Sequence, residues 1–280
     1  MKPAAFDYHR AASLADALGA LERHGEGALL IAGGQSLGPM LNMRLVQPEI
    51  LVDLNSVGEL AGIRQEGDTI VIGAMTRHHD VARDLILNRA APLMARAAAT
   101  VGHYAIRHRG TIGGSLAHAD PAAQLPAAAL ALGAEMEITS RTGLRREPAS
   151  AFFVSTFETS LDPGEILTAI RVPAARPGDG WGFHLFSRRP GDFAIALAAA
   201  RMSSDGRVDL AFGGVSATPV GRRVQAEATP SWPIEAAATL SAGLDIDESP
   251  GVPVQFRREI AALMAERALD DARRRSAVLA

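Results

Sequence analysis

Gly110-Thr111-Ile112-Gly113-Gly114-Ser115-Leu116-Ala117-His118-Ala119-Asp120-Pro121 is the stretch around which the rest of the chain can be placed. It reads as a glycine-rich turn, and Ala32-Gly33-Gly34-Gln35-Ser36-Leu37 reads as its counterpart. The counterpart directly follows the apolar run Ala28-Leu29-Leu30-Ile31, where a strand should end. Each loop pairs two adjacent glycines with a following hydroxyl, Ser36 in one and Ser115 in the other. Glycine reaches φ > 0 and lets the main chain come close to a ligand, and consecutive N–H groups lining a concavity bind phosphate without a lysine. Two such loops can clamp one pyrophosphate. Taken singly, a Gly-Gly pair is more often a plain turn or bulge. Two matching loops bordered by small and apolar residues favour the ligand reading.

Two familiar nucleotide motifs are excluded. Asp53, in Ile50-Leu51-Val52-Asp53-Leu54, lies about 20 residues after the first loop, where the ribose-binding acid of a dinucleotide fold would stand. The glycines Gly33, Gly34 and Gly38 do not give G-x-G-x-x-G, however, and Pro39 opposes a long helix. Asp53 therefore reads as a strand-end structural residue, with cofactor contact the lesser alternative. No G-x-x-x-x-G-K-[ST] sequence occurs.

The chain has 280 residues, enough for two domains with a core in each. Hydrophobic residues make up 48% without an apolar run long enough to span a bilayer. The first residues lack the apolar core of a signal peptide, and a cytoplasmic location is expected. A formal charge of −3 gives no electrostatic reason to expect nucleic acid or anionic lipid. The absence of cysteine excludes disulfides, thiolate catalysis and any cysteine-bound iron–sulfur cluster. Redox chemistry on this chain must use a bound organic cofactor.

Along the chain, Ser13 caps a helix that Gly25 stops, with Leu14, Ala17, Leu18 and Leu21 on one face. Strands follow at 28–31 and 50–54, making a small α/β unit. Ile63 and Thr69-Ile70-Val71-Ile72 flank the turn Glu66-Gly67-Asp68 as a hairpin. Thr76 is expected to cap a helix reaching Leu87, and a second helix covers 91–101. His78-His79-Asp80 invites a metal reading, but neighbouring helix residues point about 100° apart and do not chelate. His103, His108 and His118 flank the second loop as surface or hydrogen-bonding groups. Residues 124–132 form a buried helix, 135–139 a strand, and 166–172 a strand alternating polar-out and apolar-in. Pro173-Ala174-Ala175-Arg176-Pro177-Gly178-Asp179-Gly180 marks the domain boundary. Beyond it come strands at 183–186, 193–202 and 208–212, with Asp205-Gly206 as a hairpin turn. Two helices close the chain, 234–242 and 256–275, the second with Phe256, Ile260, Leu263 and Met264 on its apolar side. Arg273-Arg274-Arg275 reads as a solvated end suited to the negative helix terminus.

The two loops, together with Asn42-Met43-Arg44-Leu45-Val46-Gln47-Pro48, Gly73-Ala74-Met75-Thr76-Arg77-His78 and Arg188-Arg189-Pro190-Gly191-Asp192-Phe193-Ala194, resemble the FAD-binding medium subunit of molybdenum hydroxylases. That family includes the flavoprotein subunits of aerobic carbon monoxide dehydrogenase and the middle portion of xanthine dehydrogenase. The resemblance runs from Phe6 to about Leu269. It implies an α+β chain: a PCMH-type FAD-binding fold of two α/β subdomains (about 1–55 and 56–174), then a C-terminal α+β domain (175–280) of the carbon monoxide dehydrogenase flavoprotein type. That last domain is expected to be a small antiparallel sheet with helices on one side.

The resemblance also implies site residues. Ala32, Gly33, Gly34, Gln35, Ser36 and Leu37, with Thr111, Ile112, Gly113, Gly114 and Ser115, should bind the FAD pyrophosphate through backbone amides and the Ser36, Thr111 and Ser115 hydroxyls. Asp120, Gln124 and Leu167 match positions near the cofactor. Phe193 is the candidate aromatic near the flavin ring, with core packing as the alternative. Gln124 stands where relatives often carry an acid, and His184-Leu185 where many carry a lysine; both departures bear on flavin potential. No catalytic acid–base pair and no metal ligand set is expected on this chain. The implied function is electron transfer. A molybdopterin-binding large subunit oxidises the substrate, [2Fe-2S] clusters on a small subunit relay electrons, and FAD on this chain passes them to an external acceptor, within a dimer of heterotrimers. A stand-alone FAD-dependent oxidoreductase of the same fold and a redox-inactive nucleotide-binding module are the alternatives.

Overall fold

The computed structural model describes residues 2–248 and 251–276. Its first unit comprises β1 (Asp7–Arg10), α1 (Leu14–His24), β2 (Ala28–Ile31), α2 (Leu37–Asn42) and β3 (Ile50–Asp53). The strands form a parallel sheet in the order β1-β3-β2. As the sequence suggests, the Ser13 hydroxyl accepts the Asp16 amide at the start of α1, and Gly25 ends the helix at φ 50°. Leu18 and Leu21 bury against Ile50 and Val52 of the sheet. β1 is unforeseen: Asp-Tyr-His-Arg has no apolar period, because it is an exposed edge strand whose ladder alone fixes it.

The second unit contains β4 (Ile63–Glu66), β5 (Thr69–Gly73), α3 (His78–Arg83), α4 (Leu85–Ala90), α5 (Pro92–Ala99), α6 (Tyr104–Arg109), α7 (Ile112–His118), α8 (Gln124–Leu132), β6 (Glu135–Ser140), β7 (Gly143–Pro148), α9 (Ala149–Phe152), β8 (Phe153–Ser155), β9 (Glu158–Thr159) and β10 (Ile166–Pro173). Five strands form a sheet in the order β4-β5-β10-β6-β7, and β8 pairs with β9. Three expectations change here. Thr76 caps no helix; its hydroxyl accepts the Gly62 amide and donates to the Gly62 carbonyl. The expected helix to Leu87 breaks at Asp84, which sits in extended backbone and accepts the Leu87 amide to start α4. β10 does not alternate, because at the sheet centre both of its faces are covered and residues 166–170 are all buried.

The third unit holds β11 (Gly180–Phe186), β12 (Ala196–Met202), β13 (Arg207–Gly213), β14 (Val220–Gln225), α10 (Trp232–Ala242) and α11 (Val254–Arg275). The four strands are antiparallel in sequence order. The β12–β13 hairpin turns at Asp205-Gly206, with Gly206 at φ 83°. Strand β12 starts at Ala196, three residues after the expected position.

The third unit's own helices, α10 and α11, keep to one side of this sheet as expected, and a helix of the second unit covers the other. α11 packs on β11 and β12, whereas α8 packs from the opposite side on β12 and β13. That explains why α8 is apolar all round: it is wedged between α5 and the third sheet. Leu197, Ala199 and Ala211 join the core of the second unit, while Ala196, Ala198 and Ala200 face α11. The buried stripe of α11 is Ala261, Met264, Ala265, Ala268, Leu269 and Ala272, with Phe256, Ile260 and Leu263 only partly covered. Alanine carries little weight in a hydrophobicity reading, yet it permits close approach to the sheet. Of the terminal arginines, Arg274 stays exposed and pairs with Asp270 of the same helix, whereas Arg273 and Arg275 are anchored. Arg275 lies 4.1 Å over the Trp181 ring and donates to the Trp181 carbonyl, and Arg273 donates to the Thr229 carbonyl. Among the described residues, no helix is long and apolar enough to cross a membrane.

Candidate functional site

The first glycine loop leaves the carboxyl end of β2 and enters α2. Ligands of open parallel sheets gather at that edge. Gly34 adopts φ 69°, which only glycine takes readily. The amides of Gly33, Gly34, Gln35, Ser36 and Leu37 donate to no protein acceptor among the described residues; only Gly38 begins the helical bonding, to the Gly34 carbonyl. The Gln35 side chain closes back on the Gly33 carbonyl at 3.0 Å. The Ser36 hydroxyl makes no capping bond. The result is a run of open donors with no Cβ at Gly33 or Gly34.

The second stretch is built differently. Gly113, Gly114 and Ser115 are not a turn but the first residues of α7, and neither glycine has positive φ. Thr111 is the N-cap, its hydroxyl accepting the Gly114 amide at 3.1 Å. The Ile112 amide donates to Thr76, that of Gly113 to Ala74 and that of Ser115 to Thr111, all to carbonyls. Of the amides expected to be free for a ligand, those of Ile112, Gly113, Gly114 and Ser115 are thus engaged within the fold, whereas that of Thr111 and those of the first loop are open among the described residues. The glycine at 113 answers to proximity: a Cβ there would lie 2.7 Å from the Ala74 carbonyl oxygen and 2.9 Å from its Cα.

The two stretches meet. A Cβ on Gly33 would lie 2.6 Å from Gly110 Cα and closer still to the Arg109 carbonyl oxygen, so the backbones are in direct contact. A Cβ on Gly114 would lie 3.6 Å from the Ala32 methyl. Beneath the contact, His78 is buried against Gly110, its Nδ1 without a hydrogen-bond partner. Burial, with the nearby Arg107 and Arg77 charges, pushes its pKa down to about 4, so the imidazole is neutral. His79 turns outward and stacks on His108 at 3.9 Å between ring centroids. The two adjacent histidines diverge as helix geometry requires.

With this geometry, residues 4–175 match a family profile described as the FAD binding domain in molybdopterin dehydrogenase. The chain is 41% identical to the 6-hydroxypseudooxynicotine dehydrogenase complex subunit alpha of Paenarthrobacter nicotinovorans, over 99% of this chain and 97% of that one. It is 36% identical to the carbon monoxide dehydrogenase medium chain of Afipia carboxidovorans, over 99% of both. Among solved structures, carbon monoxide dehydrogenase from Hydrogenophaga pseudoflava superposes with a TM-score of 0.91 at 37% identity, covering 99% of this chain and all of that one. The chain belongs to the FAD-binding subunits of the molybdenum hydroxylases.

Membership in these FAD-binding subunits gives the open loop a ligand to be tested against. FAD carries a pyrophosphate dianion, and five unpaired amides around a Cβ-free turn are the donor set such an anion requires. The residues present fit. From the second stretch, the partly buried Ser115 hydroxyl has no protein partner among the described residues and remains available.

The other candidate positions spread around this centre. The Asp120 carboxylate accepts the Ala122 amide at 2.8 Å in the turn after α7, where Ala119 takes φ 50°. Gln124 is buried at the first position of α8. Leu167 is buried in β10 beside a register shift, and the next carbonyl, of Thr168, accepts the Ala74 amide. That bond links β10 to the Ala74–Gly113 contact. Phe193 is 59% exposed and so is not a core side chain. It follows Gly191, which at φ 88° packs against the His103 ring just ahead of α6. His184 pairs with Asp271 of α11 at 3.1 Å and serves the third unit's packing. Asp53 is held by the Tyr8 hydroxyl and the Asn55 amide, a structural role. Asn55 and Arg77, adjoining the loops, received no role from the sequence; only the position of Arg77 within the Gly73–His78 segment hinted at one.

Proposed function

We propose that this chain is the electron-exit subunit of a heterotrimeric molybdenum hydroxylase, assembled as a dimer of heterotrimers. In this reading residues 1–174 hold FAD and residues 175–280 form the appended C-terminal domain; the division's outer ends, Met1 and 277–280, lie outside the described residues. FAD, when bound, exchanges electrons in pairs or singly and so links one-electron donors to two-electron acceptors. The open amides of residues 33–37 hold the pyrophosphate, the Ser36 and Ser115 hydroxyls add donors, and Phe193 stands exposed for the ring or for an approaching partner. The observation that carries the reading is that open loop facing a second glycine stretch.

Two further facts support a relay rather than substrate chemistry. With no cysteine, the chain cannot hold a thiolate-ligated cluster, and in this reading the electrons come from [2Fe-2S] clusters on a small partner subunit. Oxidation of the substrate then falls to a molybdopterin-binding large subunit, in keeping with relatives named as a complex subunit and a medium chain. An external acceptor takes the electrons from the flavin. Stopped-flow flavin reduction is the test, first on the chain alone and then on the complex copurified with its partners. The substrate should reduce the flavin only in the complex. Equally rapid reduction of the lone chain would instead establish a self-contained flavoenzyme.

A further inference from the structure

We propose that Asn55 and Arg77 form a latch that fixes the gap between the two glycine stretches, making Arg77 a positioning residue for the FAD pyrophosphate. The proposal rests on the reading of this chain as an FAD carrier. The two stretches belong to different units, one following β2 and the other opening α7, and their backbone contact at Gly33 and Gly110 supplies only van der Waals attraction. A polar chain crosses the same junction. Asn55 Nδ2 donates to the Ala32 carbonyl at 2.9 Å, and Arg77 Nη2 donates to Asn55 Oδ1 at 2.7 Å. Arg77 Nη1 donates to the Arg109 carbonyl, directly before Gly110.

Both ends of this chain are pinned. Asn55 is held by its own amide, which donates to Asp53 Oδ1 at 2.8 Å, at the end of the central strand of the parallel sheet. The Arg77 backbone is bridged to Thr111: His78 donates to the Gly110 carbonyl and Ile112 to the Thr76 carbonyl, each at 3.0 Å. A guanidinium suits the task because its rigid fork reaches two acceptors at once, one on each side of the junction. An ammonium is a single point charge and cannot span both in the same geometry.

The charge around the latch is also incomplete. Among the described residues, neither Arg77 nor Arg109 forms an ion pair with a carboxylate. Partial burial and the neighbouring Arg109 charge weigh against the ionised form of Arg77, and Asp80 and Asp53 only partly offset them. Arg77 is thus a half-buried cation beside a loop of open amides, with its fork committed to the Asn55 and Arg109 oxygens.

The test is FAD titration, by flavin fluorescence, of the full-length apoprotein and of Arg77→Lys, Asn55→Ala and the double variant. Asn55 is exposed and Arg77 half-buried, so the variants keep the fold, checked by melting of the apoproteins. Each single change should raise the FAD Kd by on the order of tenfold, and the double variant no further, because both act through one chain. ADP, which carries the pyrophosphate, should lose affinity by the same factor, while riboflavin, which lacks it, should not. Wild-type affinity in Arg77→Lys, additive losses, or an equal loss for riboflavin would each overturn the latch. Failure of the wild-type chain itself to bind FAD would overturn the cofactor reading, and the latch with it.

Discussion

Replacing Gly33 by alanine tests the loop junction with a single methyl group. The added Cβ would lie 2.6 Å from Gly110 Cα and 2.9 Å from the Arg109 carbonyl carbon. Carbon atoms in ordinary contact sit about 3.5–4.0 Å apart, so the two stretches must separate by roughly 1 Å. Neither neighbour is a flexible side-chain tip. The Gly110 carbonyl is bonded to the His78 amide and that of Arg109 to the Arg77 guanidinium, so the shift strains both. Overpacking of this kind costs about 1–3 kcal/mol. In the apoprotein the loops relieve it by moving apart, whereas a pyrophosphate held between them requires the original spacing. The cost therefore falls on the bound state, and at 1.4 kcal/mol per decade the FAD Kd should rise by about 10- to 100-fold. Gly38→Ala is the control. A Cβ at Gly38 meets nothing within 4 Å and its backbone is helical, so affinity should stay within about twofold of wild type, with any stability change favourable and below about 1 kcal/mol. Fluorescence titration measures both affinities, and circular dichroism checks the fold. A folded Gly33→Ala protein with wild-type affinity would refute the claim that the cofactor sits across this junction.

Two further predictions concern attachment and pH. FAD should be bound noncovalently, because the chain has no cysteine and neither Gly-Gly pair contains a histidine, so acid precipitation should leave the yellow colour in the supernatant and not in the pellet. His78 should make stability fall with acid: its folded pKa, about 4, lies below the unfolded value near 6.5, so the unfolded chain binds the extra proton first and stability is lost as pH drops from about 6.5 to about 4, by up to roughly 3 kcal/mol. Urea midpoints across that range should flatten in His78→Phe, which keeps the ring against Gly110; an unchanged slope would show that other groups govern it.

The parts of the fold legible in the sequence are those whose residues answer to local chemistry. Ser13 and Gly25 bound α1, Asp205-Gly206 turns a hairpin, and the alanine- and leucine-rich 124–132 segment is a buried helix. What escaped is held by distant partners. The edge strands β1, β7 and β14 are mostly polar and owe their conformation to a neighbouring ladder. Thr76 resembles a cap, but its hydroxyl is occupied by Gly62, fourteen residues away. The α11 stripe rotates onto alanines because the sheet beneath rewards close approach over side-chain size.

The candidate site divides along the same line. Two Gly-Gly-x-Ser or Gly-Gly-Ser stretches read as equivalent phosphate loops, since sequence cannot say whether a glycine is needed for φ, for proximity or for an open amide. Gly34 is needed for φ, whereas Gly33 and Gly113 are needed for proximity. The decisive difference is supplied by acceptors that sequence does not align with the second stretch. The Ala74 and Thr76 carbonyls, just past β5, take up the Gly113 and Ile112 amides and turn that stretch into an anchored helix start. Among the described residues, no such carbonyl reaches residues 33–37, whose donors stay open. In the proposed reading the pair works as an anchored wall and a receptive loop rather than as two halves of a symmetric clamp. Cofactor affinity then depends on what holds the loop against the wall, which is why contacts far apart in sequence, from Asn55 to Arg77 and from Gly33 to Gly110, should govern FAD binding as strongly as the glycines of the loops themselves.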